Sequence, residues 1–238
     1  MKPRIAVYGA TSAIAQAAIR LWAAQGARLV LLARHTQNLN AIAADARVRG
    51  ATVKTLPFDT APQKVWQTCK GLDGLLLAHG SLGSIKGLTP PLPQLAETLA
   101  TNGTSPVHLL TQFAPLFAKQ NAGWMAAITS VAAVRGRTGM YAYGAAKAMV
   151  AHYLQGLRHA LAQQGSHVRI IDLRPGPIDT PMTRGLKAPL MSSPAAIAPR
   201  LVQACASANG TVYLPGVWRY IMAILSHLPE TLWLKLKI

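Results

Sequence analysis

Ile5-Ala6-Val7-Tyr8-Gly9-Ala10-Thr11-Ser12-Ala13-Ile14-Ala15 reads as a strand, a glycine turn and the start of a helix. A short apolar run of this kind suits a strand buried on both faces. Gly9 opens a tight turn, an Ala-rich segment follows through Ala24, and Gly26 closes the helix. The turn carries the backbone amides of Thr11, Ser12, Ala13 and Ile14 toward the N-terminal end of a helix, where a pyrophosphate is bound by unpaired N–H groups. Ala13 and Ala15 stand where many such turns have glycine, so the turn alone is a weak nucleotide signal.

The same alternation continues along the chain. Arg28 to Ala33 is a buried strand ending at Arg34-His35, and Leu39 to Arg49 is helical with Gly50 as its stop. Val53 to Phe58 is a third strand ending in Asp59, residues 62–70 form a helix, and Leu72 to Ala78 is a fourth strand. His79-Gly80 opens a Gly-, Ser- and Pro-rich loop through Pro93. Residues 94–118 are helical but contain Asn102-Gly103, a poor pair for a helix interior and so a marker of function. Trp124 to Thr129 is the fifth strand, a helix containing Tyr143 runs to about Gln164 with Gly165 as its cap, and His167 to Leu173 is the sixth strand. Repeated strand–helix units predict an α/β fold, one doubly wound parallel sheet of the Rossmann type in a single domain. Residues 1–210 are assigned to that domain and 211–238 to an amphipathic extension of it.

At 238 residues the chain is long enough for a sizeable core. The hydrophobic content is 51%, yet no run of about 18 apolar residues is free of charge, the length a bilayer-spanning helix needs. Met1-Lys2-Pro3-Arg4 leads straight into the first strand with no apolar signal region, which predicts a cytoplasmic protein. Cys69 and Cys205 have no metal-ligand spacing, so no metal site is expected. The formal charge is +17. Its Lys and Arg residues are scattered without a block or interleaved aromatics, which disfavours nucleic acid and favours a phosphorylated ligand or an anionic membrane surface.

The chemistry centres on Tyr143-Gly144-Ala145-Ala146-Lys147, with Ser130 thirteen residues before the tyrosine. On a helix, positions i and i+4 share a face, so Lys147 stands beside Tyr143. A fixed positive charge is expected to lower the phenol from its ordinary value near ~10 toward the working range. The Ser130 hydroxyl would then hold a carbonyl while Tyr143 exchanges its proton. A Tyr and a Lys on one helix face are also common without any chemistry. At the end of the second strand Arg34 takes the place of a ribose-binding carboxylate and favours NADP over NAD, although a solvated arginine there is an open alternative. Asp59 is a candidate acceptor for the adenine amino group. Arg174-Pro175-Gly176-Pro177-Ile178-Asp179-Thr180 is a rigid loop at the carboxyl edge, where such sheets bind ligands.

Together these segments resemble the short-chain dehydrogenase/reductase family over nearly the whole chain. The Gly9 turn, Asp59, Ala78-His79-Gly80, Asn102, Ser130, Tyr143 with Lys147, and Pro175-Gly176 fall in that family's order and spacing. The resemblance implies that Tyr143 is the proton donor and that Ser130 orients the carbonyl. It further implies that Lys147 binds the nicotinamide ribose and tunes the tyrosine, and that Asn102 holds a relay water. It assigns residues 11–14, Ala78 to Gly80, Ile178 and Thr180 to a bound NADPH or NADH. Departures are Ala13 and Ala15 in the turn, Tyr8 for a usual threonine, and His79 where asparagine is common.

A narrower resemblance lies in Val212 to Met222, continuing through His227-Leu228-Pro229 to Lys237. It is similar to decaprenylphosphoryl-2-keto-ribose reductases, as are the turn, the Ala78-His79-Gly80 loop and Pro181-Met182-Thr183. That likeness implies a polyprenyl-phosphate 2-keto-pentose as substrate, a flavin oxidase partner and mainly NADH, against the reading of Arg34, so NADPH and NADH both stay open; the broader family resemblance implies a homo-oligomer. Trp218, Ile221, Leu225, Leu228, Leu232 and Leu236 recur at helical spacing, broken by Pro229 and flanked by Arg219, Lys235 and Lys237. The stripe suits a helix in a membrane interface or one packed on the core or a partner subunit. The apolar segment Met182 to Met191, with Arg184 and Lys187, is expected to cover the substrate. Two alternatives remain: a general ketoreductase acting on a soluble or acyl-carrier-bound ketone, and a cofactor-binding regulator without catalysis.

Overall fold

The computed structural model describes residues 2–83, 91–185 and 188–236. Its sheet contains β1 (Arg4–Tyr8), β2 (Arg28–Ala33), β3 (Thr52–Pro57), β4 (Gly74–Leu77), β5 (Trp124–Ile128), β6 (Arg169–Pro175) and β7 (Gly210–Leu214). The spatial order is β3-β2-β1-β4-β5-β6-β7, and every neighbouring pair is parallel. The order reverses between β1 and β4, which opens a crevice above their carboxyl ends.

Alternation along β1 explains the two layers. Ile5 and Val7 join one core, Ala6 and Tyr8 the other. The first core is covered by α1 (Ala13–Ala24), α2 (Thr36–Val48) and α7 (Pro194–Ser207). The second is covered by α3 (Pro62–Thr68), α5 (Ser105–Gln120) and α6 (Tyr141–Gln163). With both faces buried, the strands read as nearly continuous apolar runs. Trp22 of α1 stacks on Trp124 of β5 at 5.9 Å between ring centroids. At the amino end of the sheet, Asp73 accepts from Arg4 Nη2 at 2.7 Å and from the Arg4 backbone at 2.8 Å.

The predicted helix over 94–118 is three pieces. α4 (Leu92–Leu99) passes into a π turn at Ala100–Thr104, and α5 follows. The turn falls on Asn102-Gly103, the pair that breaks the local rule. The Asn102 amide donates to Ser81 O at 2.8 Å and Thr98 O at 2.9 Å. A Cβ on Gly103 would lie 2.9 Å from Met149 Cε, so the missing side chain lets α6 close in. Residues 84–90 of the predicted loop lie outside the described residues.

α7 and β7 are additions to the elements predicted from the sequence. Pro199 interrupts the helical pattern of α7, while Ser193 Oγ caps its first turn through Ala196 N at 3.2 Å. β7 is a short edge strand with only Leu214 buried, so its apolar signal is weak. The predicted boundary at residue 210 therefore falls on the first residue of β7, and the part standing apart from the sheet begins after Leu214. That part is α8 (Trp218–His227) and α9 (Glu230–Trp233), separated by Pro229 as predicted.

Phe113 and Phe117 of α5 are fully buried against the second core. Phe113→Ala should lower the unfolding free energy by about 3–5 kcal/mol. Urea denaturation should show an earlier midpoint with an unchanged slope.

Candidate active site

A cavity of about 580 Å³ opens at the carboxyl edge of the sheet, and its lining falls into a nucleotide half and a reaction half. In the first half, Gly9 adopts φ +76°, and a Cβ there would lie 2.5 Å from the backbone nitrogen of His79. Glycine is therefore required where the turn after β1 meets the loop after β4. Ser12 is the N-cap of α1 but makes no side-chain cap bond, so the first amides of the helix are left for a ligand. Thr11 to Ile14 line this half, with Arg34 and His35 from the end of β2.

His79 is held by an aromatic chain that starts in the core. Phe113 meets Tyr8 edge-on at 5.9 Å, Tyr8 meets Phe58 at 5.6 Å, and Phe58 meets His79 at 4.9 Å. Tyr8 and His79, both departures from the family pattern, thus belong to one packed unit. His79 Nε2 lies 3.1 Å from Ser105 Oγ, while Nδ1 is buried with no partner. Burial, then the charges of Lys147 and Arg34, push the imidazole down to about 3, so the ring is neutral. The free first-turn amides, the Gly9 cradle and the unpaired Nδ1 fit a nucleotide with a pyrophosphate.

In the reaction half, Ser130 follows β5 and opens a 3-10 turn at Val131–Ala133, its Oγ accepting from Ala132 N at 3.1 Å. Gly144 lets α6 rest on this turn, because a Cβ there would lie 2.8 Å from Ala132 O. Tyr143 is thereby brought to the Ser130 side of the cavity, where both hydroxyl residues line it. Lys147, one helical turn on, is 3% exposed and donates to Ile128 O at 2.9 Å. Its ammonium stands 5.8 Å from the centre of the Tyr143 ring.

This geometry corrects the expected phenol. Burial pushes Tyr143 up to about 12, and the nearby Ser130 hydroxyl only partly opposes it. Lys147 spends its nearest contact on the Ile128 carbonyl and is itself lowered to about 8 by burial, with Asp172 opposing.

The cavity brings together most of the residues named from the sequence, including Ala78 to Gly80, Pro175, Gly176, Ile178 and Thr180. Two stand back from it. Asp59 is exposed just beyond β3, and its neighbour Phe58 faces the cavity instead. Asn102 is wholly buried behind Gly80, whose added Cβ would lie 2.8 Å from Asn102 Oδ1 and 3.3 Å from Lys147 Nζ. Phe58, Arg137 and Met140 line the cavity without having been singled out; the signal for the last two was their place between Ser130 and Tyr143. Met182 and Met191 of the covering segment also line it, whereas Lys187 lies outside the described residues.

Comparison with known proteins follows the same lines. The family model described as short chain dehydrogenase matches residues 3–190. An uncharacterized oxidoreductase of Streptomyces coelicolor is 32% identical over 239 residues, covering 97% of this chain and 94% of its own. An uncharacterized oxidoreductase of Mycobacterium tuberculosis is 31% identical over 242 residues, covering 96% and 95%. A short chain dehydrogenase from Burkholderia cenocepacia J2315, solved in complex with NADP, shares the fold with a TM-score of 0.84. It is 20% identical and covers 99% of this chain and 98% of its own.

If Tyr143 gives up its proton, the phenolate left behind is one that a neighbouring ammonium would stabilise. Lys147, lowered to about 8, carries that charge below this pH and loses it above, while the phenol at about 12 keeps its proton throughout. Initial rates of ketone reduction should therefore be level in mild acid and fall as pH rises through about 8. A profile level to roughly pH 10, the ordinary lysine range, would contradict this.

Proposed function

The chain belongs to the short-chain dehydrogenase family and is an oxidoreductase using a nicotinamide cofactor, and on that premise we propose that it reduces a ketone to an alcohol. The observation that carries the proposal is the convergence of Ser130, Tyr143 and Lys147 on one cavity. When bound, the reduced nicotinamide supplies a hydride to the carbonyl carbon. Ser130 holds the carbonyl oxygen, and Tyr143 gives that oxygen its proton, so hydride and proton together complete the alcohol. Lys147 stabilises the phenolate left behind and would bind the cofactor ribose. Asn102 fixes the π turn behind Gly80, and its place there suits the relay-water role that the family resemblance gives it. Residues 11–14 would hold the pyrophosphate, Arg34 and the Ala78 to Gly80 loop the nucleoside, and Pro175, Gly176, Ile178 and Thr180 the nicotinamide end; Asp59, which stands back from the cavity, would meet the adenine only at its rim.

The finer reading is a polyprenyl-phosphate 2-keto-pentose reduced to its arabinose form, produced by a flavin oxidase partner at the inner face of a membrane, by a homo-oligomer of this chain. Three observations support it. Arg137, Met140, Met182 and Met191 give the reaction half an apolar wall with one cation. The chain carries a formal charge of +17. Tyr220, Ile224 and Leu234 of the tail are 71%, 66% and 75% exposed. A general ketoreductase acting on a soluble or acyl-carrier-bound ketone is favoured by a different observation. Trp218 and Met222 are buried, and Ile221, Leu225 and Leu228 are half-buried, so the first part of the tail's apolar stripe packs on the domain itself.

The test supplies a panel of soluble ketones and the lipid-linked keto-sugar, and follows cofactor oxidation and product. Tyr143→Phe should lower kcat about 10²–10⁴-fold on whichever ketone is reduced. Unchanged turnover in this variant would refute the mechanism, and reduction of soluble ketones alone would leave the general ketoreductase.

Arg34 lines the nucleotide half, and no ion pair with a carboxylate is formed there among the described residues. Its charge is available to a 2′-phosphate, which selects NADPH over NADH. Arg34→Ala should cost about 1.5–3 kcal/mol of NADPH binding, roughly a 10- to 150-fold rise in KM, with little change for NADH. Equal effects on both would assign the enzyme to NADH.

A further inference from the structure

Asp172 is a buried carboxylate that no step of the reaction has yet used. It lies on β6 and is 1% exposed, a position that an ionised group tolerates only when paired and hydrogen-bonded. One carboxylate oxygen accepts from the Thr129 hydroxyl, and the other accepts from Arg174 Nε at 2.6 Å. The Arg174 guanidinium reaches on to β7, lying 5.8 Å from the centre of the Tyr213 ring. Asp172 stands opposite Ala127 in the β5–β6 register. Ile171 and Leu173 point into the first core and Ile170 into the second, so Asp172 points to the layer that contains α6 and Lys147.

Thr129 is the residue between two parts of the reaction site. Before it, Ile128 offers the carbonyl that takes the Lys147 ammonium, and after it stands Ser130. The Thr129 backbone also donates to Leu173 O at 2.8 Å, and its hydroxyl is 3.2 Å from the same carbonyl. The end of β5 is thus gripped from β6 at the point where it delivers Ser130.

The titratable and polar groups around Lys147 come from several elements. Tyr143 faces it from α6, the neutral His79 from the loop after β4, Asn102 from behind Gly80, and Asp172 from β6. Asp172 itself faces Arg174 on its own strand and both Arg158 and Lys147 from α6. Arg158 donates to Ile170 O at 3.0 Å. Among the described residues, Asp172 is the carboxylate whose charge acts on Lys147.

We infer that Asp172 is a positioning residue of this site: through Thr129 it holds the Ile128–Ser130 segment in place, and from β6 it turns a carboxylate toward the layer in which Lys147 is buried. The inference rests on the reading of Lys147 and Ser130 as parts of the reductase site. It gives a role to a group that the hydride and proton steps themselves leave idle.

The experiment titrates the full chain carrying ¹³C-labelled lysine by NMR, with the Lys147 resonance identified by its loss in Lys147→Met. Asp172→Asn should move the Lys147 midpoint down by roughly 1–3 pH units, and should move the alkaline fall in ketone reduction with it. Arg174→Gln removes a cation that competes for Asp172, and should move the midpoint up. Thr129→Val keeps the carboxylate, so the midpoint should stay while kcat falls about tenfold. An unmoved midpoint in Asp172→Asn overturns the inference, and if that variant fails to fold, an unmoved midpoint in Arg174→Gln does so. Full activity in Thr129→Val overturns the positioning role. The titration needs neither substrate nor cofactor. A shifted midpoint in Asp172→Asn, together with a wild-type chain that reduces no ketone, would support the charge coupling and count against the reductase reading.

Discussion

A lysine ammonium almost without water is the constraint around which this site is built. Lys147 enters the interior with a charge that burial disfavours, and the structure answers with the Ile128 carbonyl at 2.9 Å and a carboxylate on β6. The carbonyl bond ties the middle of α6 to the end of β5. Because Tyr143 lies one turn before Lys147 and Ser130 two residues after Ile128, the same tie sets the phenol against the hydroxyl. Placement of the three groups is therefore one event. It depends on the close approach that Gly80 and Gly144 permit.

The cavity is electrostatically one-sided. Of the seven carboxylates in the chain, Asp45, Asp73, Asp172 and Glu230 are in ion pairs with arginines, and none of the described lining residues is acidic. Arg34, Lys147 and Arg137 all line it. A concave surface bearing one sign of charge raises the local concentration of anionic ligands. The overall charge of +17 extends the same field over the molecule.

Arg135 is one of the anchors that hold the tail to the domain. Arg135 donates to Leu225 O at 2.7 Å and Leu228 O at 2.6 Å, and pairs with Glu230 at 2.9 Å. These carbonyls lie at the C-terminal end of α8, where the helix dipole favours a cation. The guanidinium also lies 4.5 Å from the centre of the Trp233 ring, and Trp233 Nε1 donates to Gly136 O at 3.1 Å. Trp218 closes over Gly176 so tightly that a Cβ there would lie 2.0 Å from its Nε1. No helix among the described residues is long and apolar enough to cross a membrane. The exposed Tyr220, Ile224 and Leu234 leave one apolar face of the tail outward.

By itself the sequence determined the layer architecture, because period-two burial, glycine stops and helix lengths are local properties. β2 has the bounds read from its apolar run, and α1 ends where the Ala-rich segment does. The pairing of Tyr143 with Lys147 was equally legible, since i and i+4 share a helix face wherever the helix lies. α7 and β7 were hidden by Pro199 and by the modest burial of an edge strand, both of which acquire meaning only against their neighbours in the fold. The protonation of the site was also beyond local reading. The sequence places a lysine beside a tyrosine, but only the tertiary structure decides how much water each loses. Burial lowers Lys147 and raises Tyr143, contrary to the shift expected from their pairing. Asp172 lay twenty-five residues beyond Lys147 with no motif to mark it. Sheet register alone brought it behind Ser130, because the nearness of residues on different strands is set by pairing and by no property of either segment.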